Sequence, residues 1–303
     1  MWCKAMKQKI ITFGECMLEL SQRAPQEFRL NYGGDTLNAA VYMARAGAEV
    51  SYLTALGTDQ YSDYLLKNWR AEGVNTDLVA RFEGTVPGLY IINTDETGER
   101  SFEYWRSAAP VRALIKRKPD VFAPLFDFGV FYLSGITLSL FDAADRAIIL
   151  QFLTQFREAG GLVAFDTNYR AKNWESPSVA REAITAILAQ VDIALPSLDD
   201  EQELFGFSSL DACAEHYRTL GVAEVIIKNG KNGCSALLNG ALTHHPLTQV
   251  VQPVDTTSAG DSFNGAYIAA KAMGKSVTEA IAEGQACSAY VIQQPGAIVP
   301  RAL

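Results

Sequence analysis

The nine residues Asp255-Thr-Thr-Ser-Ala-Gly-Asp-Ser-Phe263 place an acid, several hydroxyls and a small flexible pair directly before an Ala-rich apolar stretch that closes at Gly274. Ala259-Gly260 lets the backbone come close to a ligand and leaves N–H groups pointing outward at a helix start. Such a start favours phosphate oxygens and developing negative charge. Asp261 stands in the same turn, where a carboxylate can accept a hydroxyl proton while a phosphoryl group moves. The plain structural alternative is that Asp261 or Ser262 only caps a helix. A bare Ala-Gly-Asp would not decide between them; the full string favours the chemistry.

Three further segments carry polar groups at places where ligands bind. Asn31-Tyr-Gly-Gly-Asp-Thr-Leu-Asn38 precedes a helix: its paired glycines permit close approach, and Asp35 and Asn38 can hold hydroxyls. A turn plus a helix cap is the alternative. Lys228-x-Gly230-x-x-Gly233 lies between two apolar strands and could pack its backbone against a nucleotide; a hairpin closed by Asn232-Gly233 accounts for it equally. Phe165-Asp-Thr-Asn-Tyr-Arg170 follows an apolar run, so its polar residues fall at a strand's carboxyl end, the ligand-binding edge of open α/β sheets. Arg170 could hold a carboxylate or phosphate in bidentate fashion, or the loop could merely cap the next helix. Neither GxxxxGK[ST] nor GxGxxG occurs, so P-loop and Rossmann dinucleotide sites lose their main support.

The elements that must position these residues alternate. Apolar strand-like runs at 9–13, 50–55, 130–134, 162–166, 193–195 and 224–228 are separated by helical spacing at 36–46, 61–71, 143–159 and 179–189. This pattern predicts an α/β fold with a mostly parallel sheet covered by helices on both faces. One region departs from it. Residues 88–93 and 99–106 flank a turn-forming stretch, 94–98, and read as an antiparallel hairpin. Period 2 sets Phe102, Tyr104 and Arg106 on one face and Ser101, Glu103 and Trp105 on the other. The extended segment 17–32 could join it as a small lid sheet, although an ordinary surface hairpin would show the same pattern.

The chain has 303 residues, 49% hydrophobic and 20% charged, with a net charge of -8. That composition is globular, and the acidic balance argues against a nucleic-acid partner. Anionic substrates would need local positive charge at the site. Five cysteines without a CxxC pair suggest neither a disulfide framework nor a zinc site and fit a reducing, cytoplasmic setting. The adjacent His244 and His245 point to opposite faces of a strand and would not share a metal. No run approaches membrane-spanning length, and no apolar signal core follows the basic N-terminal residues.

In this order, the four segments resemble the PfkB (ribokinase-like) family of carbohydrate kinases along essentially the whole chain. The stretch from Gly33 matches the family's N-terminal Gly-Gly motif and Asp255 to Phe263 its C-terminal motif. The resemblance implies a ribokinase-like three-layer sandwich: one kinase domain over 1–303, with a β-sheet lid from about 17–33 and 85–107 inserted in it. It implies ATP as phosphoryl donor and Mg²⁺ bridging its phosphates. Gly14-Glu-Cys-Met17, Gly33-Gly-Asp-Thr-Leu-Asn38, Pro87-Gly-Leu-Tyr90, Thr97-Gly-Glu-Arg100, Tyr104-Trp-Arg106, Leu133-Ser-Gly-Ile136 and Asp166-x-Asn168-Tyr-Arg170 look most like the branch that phosphorylates 2-dehydro-3-deoxy-D-gluconate on its 6-hydroxyl.

By that resemblance Asp261 is the base, and the amides of Ala259, Gly260 and Asp261 form the anion hole beside Ser258. Gly34, Asp35 and Asn38 hold substrate hydroxyls, and Tyr90, Tyr104 and Arg106 reach in from the lid. Arg106 and Arg170 are the candidates for a substrate carboxylate. Asn168, Ser197, Lys228, Gly230 and Gly233 lie along ATP. The family's Gly is Ser258 here. Its magnesium-linked Asn-x-x-Glu is Ser197-Leu-Asp-Asp200, which leaves Asp200 as the one candidate metal-linked group. A kinase for a neutral sugar such as fructose or ribose is the alternative on this fold. A non-catalytic sugar-acid sensor is a third, which the intact base and anion hole oppose. Lid sheets of this kind often pair, so a homo-oligomer joined through Phe102 and Tyr104 or through Trp105 is expected.

Overall fold

Alternate residues along the central strands go to opposite cores. Ile11, Phe13, Phe131, Leu133, Val163 and Phe165 pack into one, while their neighbours Ile10, Val130, Tyr132 and Ala164 pack into the other. A sheet buried on both faces needs such near-continuous apolar strands. The structure, a computed structural model, describes residues 9–24, 26–94 and 100–301. Most of the turn expected at 94–98 and nearly all the basic N-terminal residues lie outside that description.

In chain order the strands are β1 Lys9–Phe13, β2 Met17–Ala24, β3 Glu27–Gly33, β4 Glu49–Leu56, β5 Val79–Arg81, β6 Leu89–Thr94 and β7 Arg100–Trp105. They continue with β8 Val130–Ser134, β9 Leu162–Asp166, β10 Ile193–Ala194, β11 Glu224–Lys228, β12 Cys234–Leu238 and β13 Ala241–His245. Nine form one sheet in the order β13-β12-β11-β10-β9-β8-β1-β4-β5. Pairing is parallel from β11 to β5, and antiparallel where β12 and β13 extend the edge. The first core lies under helices Ala143–Glu158, Pro177–Leu188 and Leu210–Leu220; the second lies under Asp35–Arg45, Gln60–Ala71, Ala259–Ala272 and Val277–Val291. This is the three-layer α/β sandwich expected from the alternation.

Helix boundaries follow local chemistry. Asp59 caps Gln60–Ala71 by accepting from the Tyr61 and Ser62 amides. Ser276 and Glu279 form a capping box before Val277–Val291. Gly47 ends the helix expected at 36–46 in the left-handed region, at φ 93°. His244 is exposed and His245 half-buried on β13, as opposite faces require.

The second sheet has four strands in the order β3-β2-β6-β7. β2 pairs antiparallel with β3 and parallel with β6, and β6 pairs antiparallel with β7. The segment expected to be extended at 17–32 thus joins the hairpin in one sheet. Among the described residues no helix is long and apolar enough to cross a membrane. Cys16, Cys213, Cys234 and Cys287 are free thiols.

Candidate active site

The parallel strands end at one edge, and four of them deliver polar groups there. β1 leads to Glu15, β8 ends at Ser134, β9 ends at Asp166 with Asn168 beyond it, and β11 ends at Lys228. Two helices begin over the same edge. Gly34 is the N-cap of Asp35–Arg45, and Ser258 is the N-cap of Ala259–Ala272. The two helices touch where Gly265 stands: a Cβ there would meet the Ala39 carbonyl oxygen at 2.6 Å and Tyr42 Cβ at 2.8 Å. That close crossing brings Asn38 beside Asp261, and Asn38 Nδ2 donates to Asp261 Oδ2 at 2.9 Å.

The turn before helix Ala259–Ala272 is held from below. Asp255 Oδ1 accepts from the Thr257 amide at 3.0 Å, and Oδ2 accepts from the Gly296 amide at 2.7 Å. Ser258 then adopts φ 63° and ψ 16°. This left-handed conformation is the one a glycine enters without cost, which explains why the family motif carries Gly at this place. The Gly260 and Asp261 amides have no acceptor among the described residues, whereas the Ala259 amide donates back to the Thr256 carbonyl at 3.2 Å. Two of the three expected donors are therefore open at the helix start. Lys228 Nζ stands 3.4 Å from where a Cβ on Gly260 would lie, adding positive charge over the same spot.

The acids here are arranged unequally. Burial pushes the Asp261 carboxyl up to about 7, and the negative charges of Asp35 and Asp166 push the same way against the Asn38 hydrogen bond. Burial also raises Asp35, whose Oδ2 accepts from Asn168 Nδ2 at 2.9 Å. Asp166 is neutralised differently. Its Oδ2 accepts from Lys228 Nζ at 3.1 Å and from Asn264 Nδ2 at 2.6 Å, while Lys228 also donates to Asn264 Oδ1 at 3.0 Å. A carboxylate held near neutrality, as Asp261 is, is matched to proton transfer.

The small sheet presents a polar row to this edge. Its register aligns Asn31, Glu19, Tyr90 and Tyr104 across the four strands. Tyr90 Oη donates to Glu19 in a short bond, and Asn31 Nδ2 donates to the other Glu19 oxygen at 3.3 Å. Gly33 leaves room for that phenol, since a Cβ would meet Tyr90 Oη at 2.8 Å. Tyr104 packs on Tyr90 with ring centres 5.9 Å apart. Burial raises the Tyr104 phenol, and the positive charges of Arg106 and Arg170 oppose the shift, so both guanidiniums lie within electrostatic reach of it.

Most of the residues expected at the site converge, with instructive differences in contact. Arg106 is turned onto Glu15 in a buried ion pair, and Arg170 pairs with Asp200 at 2.9 Å. Asp200 is thus engaged by an arginine, and its amide is capped by Ser197 Oγ. Among the described residues no group of three or more His, Cys, Asp or Glu is arranged to hold a metal. Asn168, expected along the nucleotide, instead reaches Asp35. Ser197 bridges to Lys228 in the sheet. Gly230 starts the 3₁₀ turn Gly230–Asn232. Gly233 has a purely local reason to be glycine: at φ 81° a Cβ would meet the His245 carbonyl oxygen at 2.3 Å. Sequence reasoning missed Asp166, Asn264, Glu15 and Glu19 as site residues. The signals were an acid closing a wholly buried strand, an Asn three residues after Asp261 on one helix face, and two acids inside an otherwise apolar run.

Comparison with known proteins fits this geometry. A family model described as "pfkB family carbohydrate kinase" matches residues 7–302. A 2-dehydro-3-deoxygluconokinase of Dickeya dadantii (strain 3937) is 42% identical over 97% of both chains. The crystal structure of 2-dehydro-3-deoxygluconokinase from Thermotoga maritima superposes with a TM-score of 0.83 at 26% identity, covering 96% of each chain. Aminoimidazole riboside kinase from Salmonella enterica, complexed with aminoimidazole riboside and an ATP analog, superposes with a TM-score of 0.82 at 25% identity, over 95% of this chain and 94% of that one. Matched by that model over nearly its whole length, this chain belongs to the pfkB family of carbohydrate kinases.

Proposed function

We propose that the protein transfers the γ-phosphoryl group of ATP to the 6-hydroxyl of 2-dehydro-3-deoxy-D-gluconate, giving the 6-phosphate and ADP. The observation that carries the substrate is that two arginines flank the expected sugar site, Arg106 where the small sheet leaves β7 and Arg170 beyond the end of β9, each already held by an acid, Glu15 and Asp200. A neutral sugar has no use for that charge in an acidic protein, whereas a sugar acid does. The 42% identical relative bears the name of this activity.

In this reading Gly34, Asp35 and Asn38 hold the sugar's hydroxyls, and the small sheet serves as a lid bearing Tyr90, Tyr104 and Arg106 over it. Asp261 accepts the 6-hydroxyl proton, so that the oxygen attacks as a developing alkoxide. The open Gly260 and Asp261 amides, the adjoining Ala259 backbone and Lys228 offset charge gathering on the transferring phosphoryl oxygens. Asn168, Ser197, Ser258, Gly230 and Gly233 border the nucleotide. Asp166, at the end of β9, and Asp200, in the first turn of helix Leu198–Phe205, are hard oxygen donors that suit a magnesium ion neutralising the nucleotide's phosphates. Since both are already paired with cations or amides, the nucleotide itself would supply most of the ion's ligands. The face of the lid opposite Tyr90 carries Trp105, 58% exposed, and in this reading it is the face through which two copies pair.

Coupled ADP release with ATP-Mg²⁺ and a panel of acceptors tests the assignment. Turnover on 2-dehydro-3-deoxygluconate should exceed that on fructose and ribose by at least about a hundredfold in kcat/KM. Preference for a neutral sugar would keep the kinase and its base but end the carboxylate assignment.

A further inference from the structure

The chain passes between the two sheets four times, and all four passages converge on Glu15. The residue itself lies on the first, between β1 and β2. On the second, a Cβ at Gly34 would meet the Glu15 carbonyl oxygen at 2.1 Å. On the third, a Cβ at Gly88 would meet Glu15 Oε1 at 3.0 Å and Arg106 Cβ at 3.2 Å. On the fourth, Arg106 leaves β7 and closes its ion pair with Glu15, with side chains only 11% and 3% exposed. Arg112 braces this point: its Nε donates to the Arg106 carbonyl and its Nη1 to the Leu140 carbonyl, each at 3.1 Å.

A buried ion pair contributes little net stability, so stability alone does not account for this one. Among the described residues, Arg106 Nε and Glu15 Oε1 have no hydrogen-bond partner. Two arginines face one glutamate, and the charges of both act on Glu15. Arg106 thus keeps an unpartnered Nε that can donate to one more carboxylate.

We propose that Glu15 is a positioning residue that aims Arg106 at the carboxylate of the substrate; this rests on the sugar-acid reading above. Glu15 is hemmed in by two chain crossings, at Gly34, where a Cβ would strike its carbonyl oxygen, and at Gly88, where one would press on its carboxylate, so it holds the guanidinium at a set place and angle before substrate arrives. Without it Arg106 is a buried unpaired cation and turns away toward water.

Glu15→Gln tests this in steady-state kinetics. KM for the keto-acid should rise at least about tenfold, while kcat and KM for ATP stay within about threefold. In an Arg106→Ala background the same change should add nothing, because both act through one guanidinium. If Glu15→Gln does not fold, Glu15→Asp keeps the charge but withdraws it by one methylene. It should raise the same KM by at least about threefold, again only when Arg106 is present. An unchanged or lowered KM for the acid overturns the proposal. So does a parallel loss in kcat and both KM values, which marks a merely structural role. Wild-type preference for the acid over fructose tests the underlying reading separately: if it is absent the reading fails, and if it is present and survives Glu15→Gln only this inference fails.

Discussion

Asp261 is poised by its surroundings, and that has two measurable consequences. A base must be ionised to act, and burial with Asp35 and Asp166 nearby holds this one up to about 7. We expect kcat/KM for the sugar to fall about tenfold per pH unit below that value, with the limb missing from the residual activity of Asp261→Asn. The same shift enters stability with a definite sign. The folded-state pKa lies above the unfolded value, so the group's contribution is fully present below about pH 4 and is lost as pH rises to about 7. Denaturation at pH 8 should therefore find Asp261→Asn more stable than wild type by about 1–3 kcal/mol, and the gap should narrow at pH 5. Ser258 offers a simpler case. Its left-handed backbone costs about 1 kcal/mol, partly offset by the chain entropy a glycine would lose. Ser258→Gly should raise stability by about 0.5 kcal/mol, and a loss on denaturant titration would contradict the strain.

At the scale of elements, the site depends on two helices crossing closely enough to join Asn38 to Asp261. Gly265→Ala inserts a methyl where the Ala39 carbonyl oxygen would stand 2.6 Å away. The helices must separate, at a cost of about 1–3 kcal/mol, and kcat should fall with them; equal stability and unchanged kcat would show that the crossing relaxes freely. This requirement was not legible in the sequence, where Gly265 is one small residue in an Ala-rich run. The helix start itself was legible, because the turn from Asp255 to Asp261 is contiguous and its hydrogen bonds are local. The strand-and-helix alternation was legible for the same reason: periodicity reports burial directly. Contacts joining residues far apart in the chain were not. Nothing in their spacing shows that Asp166 meets Lys228 and Asn264, or that Arg106 turns onto Glu15. Ala259 shows a finer limit, since whether an amide is free depends on a turn bond to Thr256.

For the whole molecule, the edge of the large sheet and the polar row of the small one meet where Gly33 packs beneath Tyr90 and Gly88 beside Glu15, and the proposed site needs both. The opposite face of the small sheet leaves Trp105 largely in water, and pairing of two chains would cover it. Sedimentation equilibrium should show a self-associating protein, and Trp105→Lys should weaken association at least about tenfold. A wild-type protein that is monomeric at micromolar concentration would refute pairing through this face while leaving the proposed site untouched.

The claim on which the rest depends is that Asp261 takes the proton from the sugar's hydroxyl. Asp261→Asn keeps the shape of the side chain and a partner for Asn38, and removes only the basicity. We predict that kcat falls by at least about a thousandfold, while calorimetry gives keto-acid and ATP dissociation constants within about threefold of wild type. A variant that turns over at a rate near wild type would place the base elsewhere and contradict the account at its centre.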